Sequence, residues 1–348
     1  MTHRRWDILT RRQPAIDIFK FVAAILVITI HTEPLLILSE TANFIQVHYF
    51  ARVAVPFFIV CTGFFTGRKI TWSDEGMVDK IKATRVAILK SSWKVFRLYL
   101  ICSVIYLVLS IPQWIQTGWF SIKAFIDWGI AFFLSGSYYH LWYLMEVCYA
   151  LIVLALILPI IRKPYIYILT LVLWVVEVIA YGYSFLLPSG FQHLFAVANK
   201  VQLPFESIVR VLPLLLVGII IQKGRHSKQL STILGFLISF ALLGGEIYLV
   251  KSLGGEKFSY LLCTLPVAYF LFQMIHNIDG LIHIKNSLML SNISTFVYCA
   301  HPAIILIIST YLKIEPPNLW MFIIVTTISV VVGLGYYYLK HRVFRKKV

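Results

Sequence analysis

Lys20, His31, His48 and Arg52 stand close together in stretches that are otherwise almost wholly apolar. Lys20 and His31 are eleven residues apart, about three helical turns, so on one helix they share a face at a separation of about 16 Å. His48 and Arg52 are four apart and share a face of the next segment. Ionisable groups cost about 2.5–3.5 kcal/mol each when carried into a bilayer, so each asks for a reason. An imidazole changes protonation near neutrality and can take a proton or act as a nucleophile, and a fixed guanidinium beside it would hold developing charge. That is one reading of His31 with Arg52. The other is a water-facing pair at helix ends that only anchors a bundle. Glu33 lies two residues beyond His31, and Pro34 ends or kinks the helix there, which would let Glu33 orient His31.

Two later stretches also combine histidine with polar or aromatic neighbours. His140-Leu141-Trp142-Tyr143-Leu144, with Glu146 following, has aromatics that suit either a site or an interfacial belt. Ser294-Thr295-Phe296-Val297-Tyr298-Cys299-Ala300-His301-Pro302 puts a histidine before a proline in the middle of an apolar run. The proline frees a backbone carbonyl, which His301 would satisfy unless it lines a polar cavity instead. Glu177, Glu206, Arg210 and Glu246 are the other intramembrane charges, and the i,i+4 pair Glu206 and Arg210 is expected to neutralise itself.

The elements that must position these residues follow from composition. Of 348 residues, 59% are hydrophobic and 13% charged, and the mean hydropathy is +0.83. Soluble chains run near 45–50% apolar and about 25% charged. So few charges cannot cover this much apolar surface in water, so lipid is the solvent and the chain is an all-α integral membrane protein. Windows of about 19 residues place ten spans near 16–38, 44–66, 91–111, 140–161, 165–187, 205–222, 230–250, 259–276, 288–311 and 318–340. The apolar stretch Ile122–Leu134 is too short and reads as interfacial or re-entrant. The run 16–38 is too long for a signal-peptide core of about 7–15 residues and reads as a retained first span.

The net charge of +16 resolves into topology. With ten spans and the N-terminus inside, 23 of the 31 basic residues fall on the cytoplasmic side and three, Lys20, Arg52 and Arg210, within spans. The remaining five, Lys123, Lys200, Lys251, Lys257 and Lys313, fall in outer loops. This asymmetry places both termini in the cytoplasm. It also puts His31 and Arg52 at similar depth in the outer half of the bundle. The organisation expected is a basic N-terminal segment, 1–15, a transmembrane domain, 16–340, and a basic tail, 341–348. No span resembles a nucleic-acid-binding module, so nucleic acid is not an expected partner. The five cysteines are scattered, odd in number and without CxxC spacing, which indicates packing rather than disulfides or metal. No metal constellation or glycine-rich phosphate loop is present.

In four ordered stretches the chain resembles the acyltransferase 3 family of multi-pass membrane acyltransferases. Ile16-Asp17-Ile18-Phe19-Lys20-Phe21-Val22-Ala23-Ala24 followed by His31 is similar to the family's opening helix, and Arg52-Val53-Ala54-Val55-Pro56-Phe57-Phe58 with Gly63-Phe64 to its second. His140-Leu141-Trp142-Tyr143-Leu144 and Tyr298-Cys299-Ala300-His301-Pro302 resemble two later signatures. Position 20 is Lys where Arg is commoner, Thr62 stands where Ser is usual, and Glu146 is out of register with the acidic pair of polysaccharide-acetylating members. The first two stretches also resemble the membrane half of serine racemases from glycopeptide-resistance clusters. The 348 residues hold neither a hydrolase-like nor a racemase half.

The resemblance implies transfer of an acyl group, usually acetyl, from cytoplasmic acyl-CoA to a hydroxyl of an envelope glycan or related surface molecule, in a bacterial cell membrane. Acetyl-CoA would be a donor co-substrate, with no resident cofactor. His31 would be the base or a transient acyl carrier. Arg52 would stabilise the oxyanion or bind a donor phosphate. Lys20, Glu33, His140, Trp142, Tyr143 and His301 are the candidate donor and acceptor contacts. The basic segment Arg68–Arg97 would attract CoA or simply record topology and anionic lipid. The alternative reading is a membrane carrier or export factor for a small molecule, such as an amino acid, or for a surface polysaccharide, favoured by Glu177, Arg210 and Glu246.

Overall fold

A computed structural model describes residues 12–70, 78–158, 161–198, 202–224, 227–284 and 286–345. The expected cytoplasmic residues Arg4, Arg5, Arg11, Arg225, Lys285, Lys346 and Lys347, and the outer Lys200, lie outside them. Among the described residues there is no strand. Among them twelve helices of ten or more residues follow in order: α1 Pro14–Thr32, α2 Glu40–Gly67, α3 Val78–Gln116, α4 Ile122–Leu134, α5 Trp142–Ile157 and α6 Lys163–Gly182, then α7 Ser189–Ala198, α8 Pro204–Lys223, α9 Gln229–Ser252, α10 Thr264–Asn277, α11 Ser287–Leu312 and α12 Leu319–Arg345. Among the described residues eight, α1, α2, α3, α6, α8, α9, α11 and α12, are long and apolar enough to cross a membrane. The expected spans at 140–161 and 259–276 fold instead as helices of 16 and 14 residues, α5 and α10.

Local chemistry sets these boundaries. The first span ends at Thr32, short of the expected 38, because Glu33 takes a left-handed φ of 42° and its N–H closes on Thr29 O. A residue before proline is driven out of the helical region, and Pro34 follows. Helix α10 starts late because the Glu246 carboxylate accepts the N–H groups of Leu262 (2.7 Å) and Cys263 (2.8 Å). Tyr183 donates its hydroxyl to the same carboxylate at 2.8 Å. Glu246 is thus a cap for irregular backbone, not a loose membrane charge. Helix α4 is a short piece of 13 residues opened by Ser121, whose hydroxyl accepts Ala124 N–H.

The chain forms two compact units. The first comprises Met1–Phe58, Arg225–Gly244 and Pro266–Val348. There α1, α11 and α12 pack mutually through residues spaced three or four apart: Ala24 and Ile28, Ile293 and Val297, Ile305 and Ile308, Met321 and Val325. This is the one-face periodicity of packed helices. Asp279 accepts Ala15 N–H at 3.0 Å, and Thr32 O accepts Asn318 N–H at 3.0 Å, which ties both ends of α1.

The second unit comprises Ile59–Gly224 and Gly245–Leu265. Helices α3 and α5 are cross-linked by Ser92 Oγ donating to Cys148 O at 3.1 Å. Tyr99 donates to Phe132 O at 2.6 Å and accepts Ser137 N–H at 3.0 Å. Lipid tails supply no hydrophobic drive between helices, so small residues and polar links do that work. Gly63 of α2 and Gly218 of α8 bring two backbones into contact. A Cβ on Gly63 would strike the carbonyl oxygen of Leu215, and one on Gly218 the carbonyl oxygen of Val60. Among the described residues no disulfide forms, and Cys61, Cys102 and Cys148 are buried.

Gly218→Val is therefore expected to lower stability by about 3 kcal/mol or more, because backbone cannot step aside as a side chain can. Gly129→Ala, where the added methyl meets open space, is expected to be neutral or slightly stabilising. Thermal unfolding of the purified proteins in detergent compares the two.

Candidate functional site

In the first unit, α1 carries His31 in its last turn, half-buried, and α11 brings His301 against it. The two imidazoles stack with centroids 5.3 Å apart and planes 28° from parallel. Pro302 has no N–H, so the carbonyl of Tyr298 loses its helical donor. His301, fully buried, turns its Nδ1 back to Val297 O at 3.0 Å. A carbonyl only accepts, so Nδ1 carries the proton there and the ring orientation is set by the backbone.

Arg52 sits where α2 is least regular. Ile45–Phe50 is π-helical and Ala51–Val53 is 3-10 before the α-helix resumes at Ala54. Pro56 removes the donor that the Arg52 carbonyl would use, which accounts for the break. Arg52 lies within electrostatic reach of His31, and its Nε is buried with no acceptor among the described residues. Among the described residues the same stretch also leaves Asn43 Oδ1 and Gln46 Oε1 buried without donors. Buried polar atoms are normally satisfied, so three within ten residues mark a place built for polar company. Lys20 pairs with Asp17 of its own helix at 3.6 Å, Glu33 accepts Asn43 Nδ2 at 3.5 Å, and His48 packs on Phe44 with centroids 4.8 Å apart.

The other expected site residues belong to the second unit. His140 is buried among Tyr106, Tyr138 and Tyr139, with ring centroids at 4.8, 5.7 and 5.6 Å. The Tyr143 hydroxyl bonds to the Thr62 side chain. Trp142 joins a cluster that sequence reasoning saw only in part. Arg210, on the π-helical turn Ser207–Val211 that precedes Pro213, pairs with Glu206 as expected, Nη1 to Oε2 at 2.8 Å. It also binds Glu177 through Nε at 2.8 Å and Glu146 through Nη1 at 3.5 Å. Its guanidinium lies 4.6, 5.1 and 5.8 Å from the ring centroids of Tyr260, Tyr181 and Trp142. Glu146 and Glu177 stand on other helices than Arg210, so no local pattern could have paired them with it; the only signal was that each carboxylate stood in an apolar run.

Chemically, the first unit offers an imidazole beside a guanidinium with a donor to spare, and the second a cation held by carboxylates and aromatic rings. Arg210→Gln would leave three buried carboxylates facing one another and is expected to destabilise the protein by about 3–5 kcal/mol. Arg210→Lys should recover little of that loss, since one ammonium cannot reproduce the separate Nε and Nη1 contacts. Denaturation midpoints in micelles measure both.

The family profile of the acyltransferase domain Acyl_transf_3 matches residues 13–338, nearly the whole chain. One amino-acid racemase of Enterococcus faecalis is 36% identical over 130 residues, which is 37% of this chain and 16% of that protein. A second amino-acid racemase of the same organism is 26% identical over 340 residues, 93% of this chain and 46% of that protein. The chain thus spans at most about half the length of these curated relatives. No solved structure matches it. The ordered motifs around His31, Arg52, His140 and His301, the all-helical fold and the profile over 13–338 agree, and the chain belongs to the acyltransferase 3 family of membrane acyltransferases.

Proposed function

We propose that this protein is an O-acyltransferase that moves an acyl group, acetyl foremost, from cytoplasmic acyl-CoA to a hydroxyl of a cell-envelope glycan or related surface molecule. The observation that carries this reading is His31 stacked on His301 and within reach of Arg52, whose buried Nε meets no acceptor among the described residues. As the acceptor hydroxyl attacks the thioester carbonyl, His31 takes its proton, and the C–S bond breaks as the tetrahedral centre collapses. His31 returns the proton to the departing CoA sulfur. Alternatively, His31 carries the acyl group for a moment before water-free transfer to the acceptor. Arg52 stabilises the oxyanion or holds a donor phosphate. His301, held by its own helix, keeps the His31 ring in place. Lys20 and Glu33 are further donor or acceptor contacts within the same unit.

In this reading the domain spans 16–340 and crosses a bacterial cell membrane ten times. The shorter α5 and α10 serve as the two additional crossings, and both termini are cytoplasmic. The second reading, a membrane carrier for a small molecule such as an amino acid, is favoured by two relatives named amino-acid racemase and by the intramembrane charges around Arg210.

His31→Ala is expected to cut acetyl transfer by about 100-fold or more, and Arg52→Lys by about 10-fold or more. The measurement is CoA release from acetyl-CoA by the purified protein, together with ester content of surface glycans at matched expression. CoA release that persists in His31→Ala would remove the assignment. Uptake of an amino acid into vesicles without CoA would establish the carrier.

A further inference from the structure

Asn43 and Gln46 take no part in the chemistry assigned to His31 and Arg52, yet they stand beside it. Helix α1 packs against the irregular stretch 45–53 of α2. Toward the end of that stretch, Arg52 is within electrostatic reach of His31. Just before its start, Asn43 donates its Nδ2 to Glu33 Oε2 at 3.5 Å, two residues beyond His31. Residues 43–52 are thus pinned at both ends to the His31 end of α1, and Gln46 lies between the pins. Asn43 and Gln46 are three apart and share a side of their helix. Asn43 is 5% exposed, and both its Oδ1 and Gln46 Oε1 are buried with no donor among the described residues. A carboxylate only accepts, so the bond to Glu33 fixes which end of the Asn43 amide is nitrogen and turns its oxygen the other way.

What can meet these two oxygens follows by elimination. An amide oxygen accepts and never donates, so the occupant must bring hydrogens. A carboxylate or phosphate has none to give. An ammonium has three, but the Arg52 guanidinium close by repels a second cation. Neutral N–H and O–H groups remain, and an acyl acceptor already carries hydroxyl. Side chains three apart on a helix start about 5–6 Å from one another, a span that two hydroxyls of one sugar ring can bridge. We propose that Asn43 and Gln46 hold the acyl acceptor by two of its hydroxyls while a third is presented to His31. The acceptor is then a polyol, a sugar ring at its simplest, and not a molecule with a single hydroxyl. This deepens the acyl-transfer reading and rests on it for the identity of the attacked hydroxyl. Asn43 and Gln46 bind and orient; neither exchanges a proton with the reacting atoms.

The test uses the full chain in lipid nanodiscs, free of sugar-based detergent, with binding followed by saturation-transfer NMR. Methyl α-glucopyranoside is the probe, and cyclohexanol, a ring of equal size with one hydroxyl, is the comparator. Saturable binding of the glucoside alone, weakened about tenfold or more in Gln46→Leu, is the expected result, a tenfold change being about 1.4 kcal/mol. Asn43→Ala, which removes the other oxygen, is expected to weaken binding too and decides the matter if Gln46→Leu fails to fold. In turnover, KM for the glucoside should rise about tenfold in either variant while KM for acetyl-CoA moves less than about twofold; a merely structural loss would move both. No saturable glucoside binding, equal binding of cyclohexanol, or binding that neither substitution weakens would overturn the proposal, and water then meets these oxygens. Glucoside binding with the expected losses, but no CoA release dependent on His31, removes the acyl-transfer reading and leaves the polyol site standing. His31-dependent CoA release without glucoside binding does the reverse.

Discussion

Hydrocarbon offers a polypeptide no hydrogen bonds, and everything else in this protein follows from that refusal. Backbone groups must find partners within the chain, so the described residues form helices and short turns only. The few places where the ladder is interrupted are therefore informative. Pro56, Pro213 and Pro302 each remove a donor, and beside them stand Arg52, Arg210 and His301. Around two of the three the helix relaxes into π or 3-10 turns; at the third His301 itself answers a carbonyl. A widened turn lets a large polar side chain leave the helix at an angle a regular helix would not give it. The sites are built where proline loosens the ladder.

The charges show a second consequence of the same constraint. An ion in lipid has to bring its partners with it, and the two groups of charges here do so differently. Arg210 gathers three carboxylates and three aromatic rings and is thereby fixed. Arg52 keeps a buried donor with no acceptor among the described residues, near a histidine whose ring rests on another histidine. The first arrangement gives its guanidinium several partners at once, whereas the second leaves the Nε of Arg52 unanswered among the described residues.

How much of this could be read from the sequence depends on how local each feature is. The nearness of His31 and Arg52 was legible because helical spacing and a two-helix hairpin bring them together with little further information. The end of α1 was half legible: Pro34 signalled the break, but the left-handed turn at Glu33, which sends its carboxylate to Asn43, is a detail of the folded loop. The shortness of α10 was hidden, because it depends on Glu246 reaching across to the N–H groups of Leu262 and Cys263. Hydropathy sums weigh a residue by its type and cannot see that a carboxylate has been spent on backbone. The association of Glu146 and Glu177 with Arg210 was illegible for the same reason, since each comes from a different helix. Glu206, one turn away on the same helix, was the exception.

The glycine crossing of α2 and α8 has a mechanical meaning. Where side chains separate two helices, one can slide past the other by exchanging rotamers, as a drawer moves on its runners. Gly63 and Gly218 leave no such layer, because main chain rests on main chain. These two segments are welded at that point and will travel together, so any working motion in this part of the molecule must pivot about the weld instead of shearing through it.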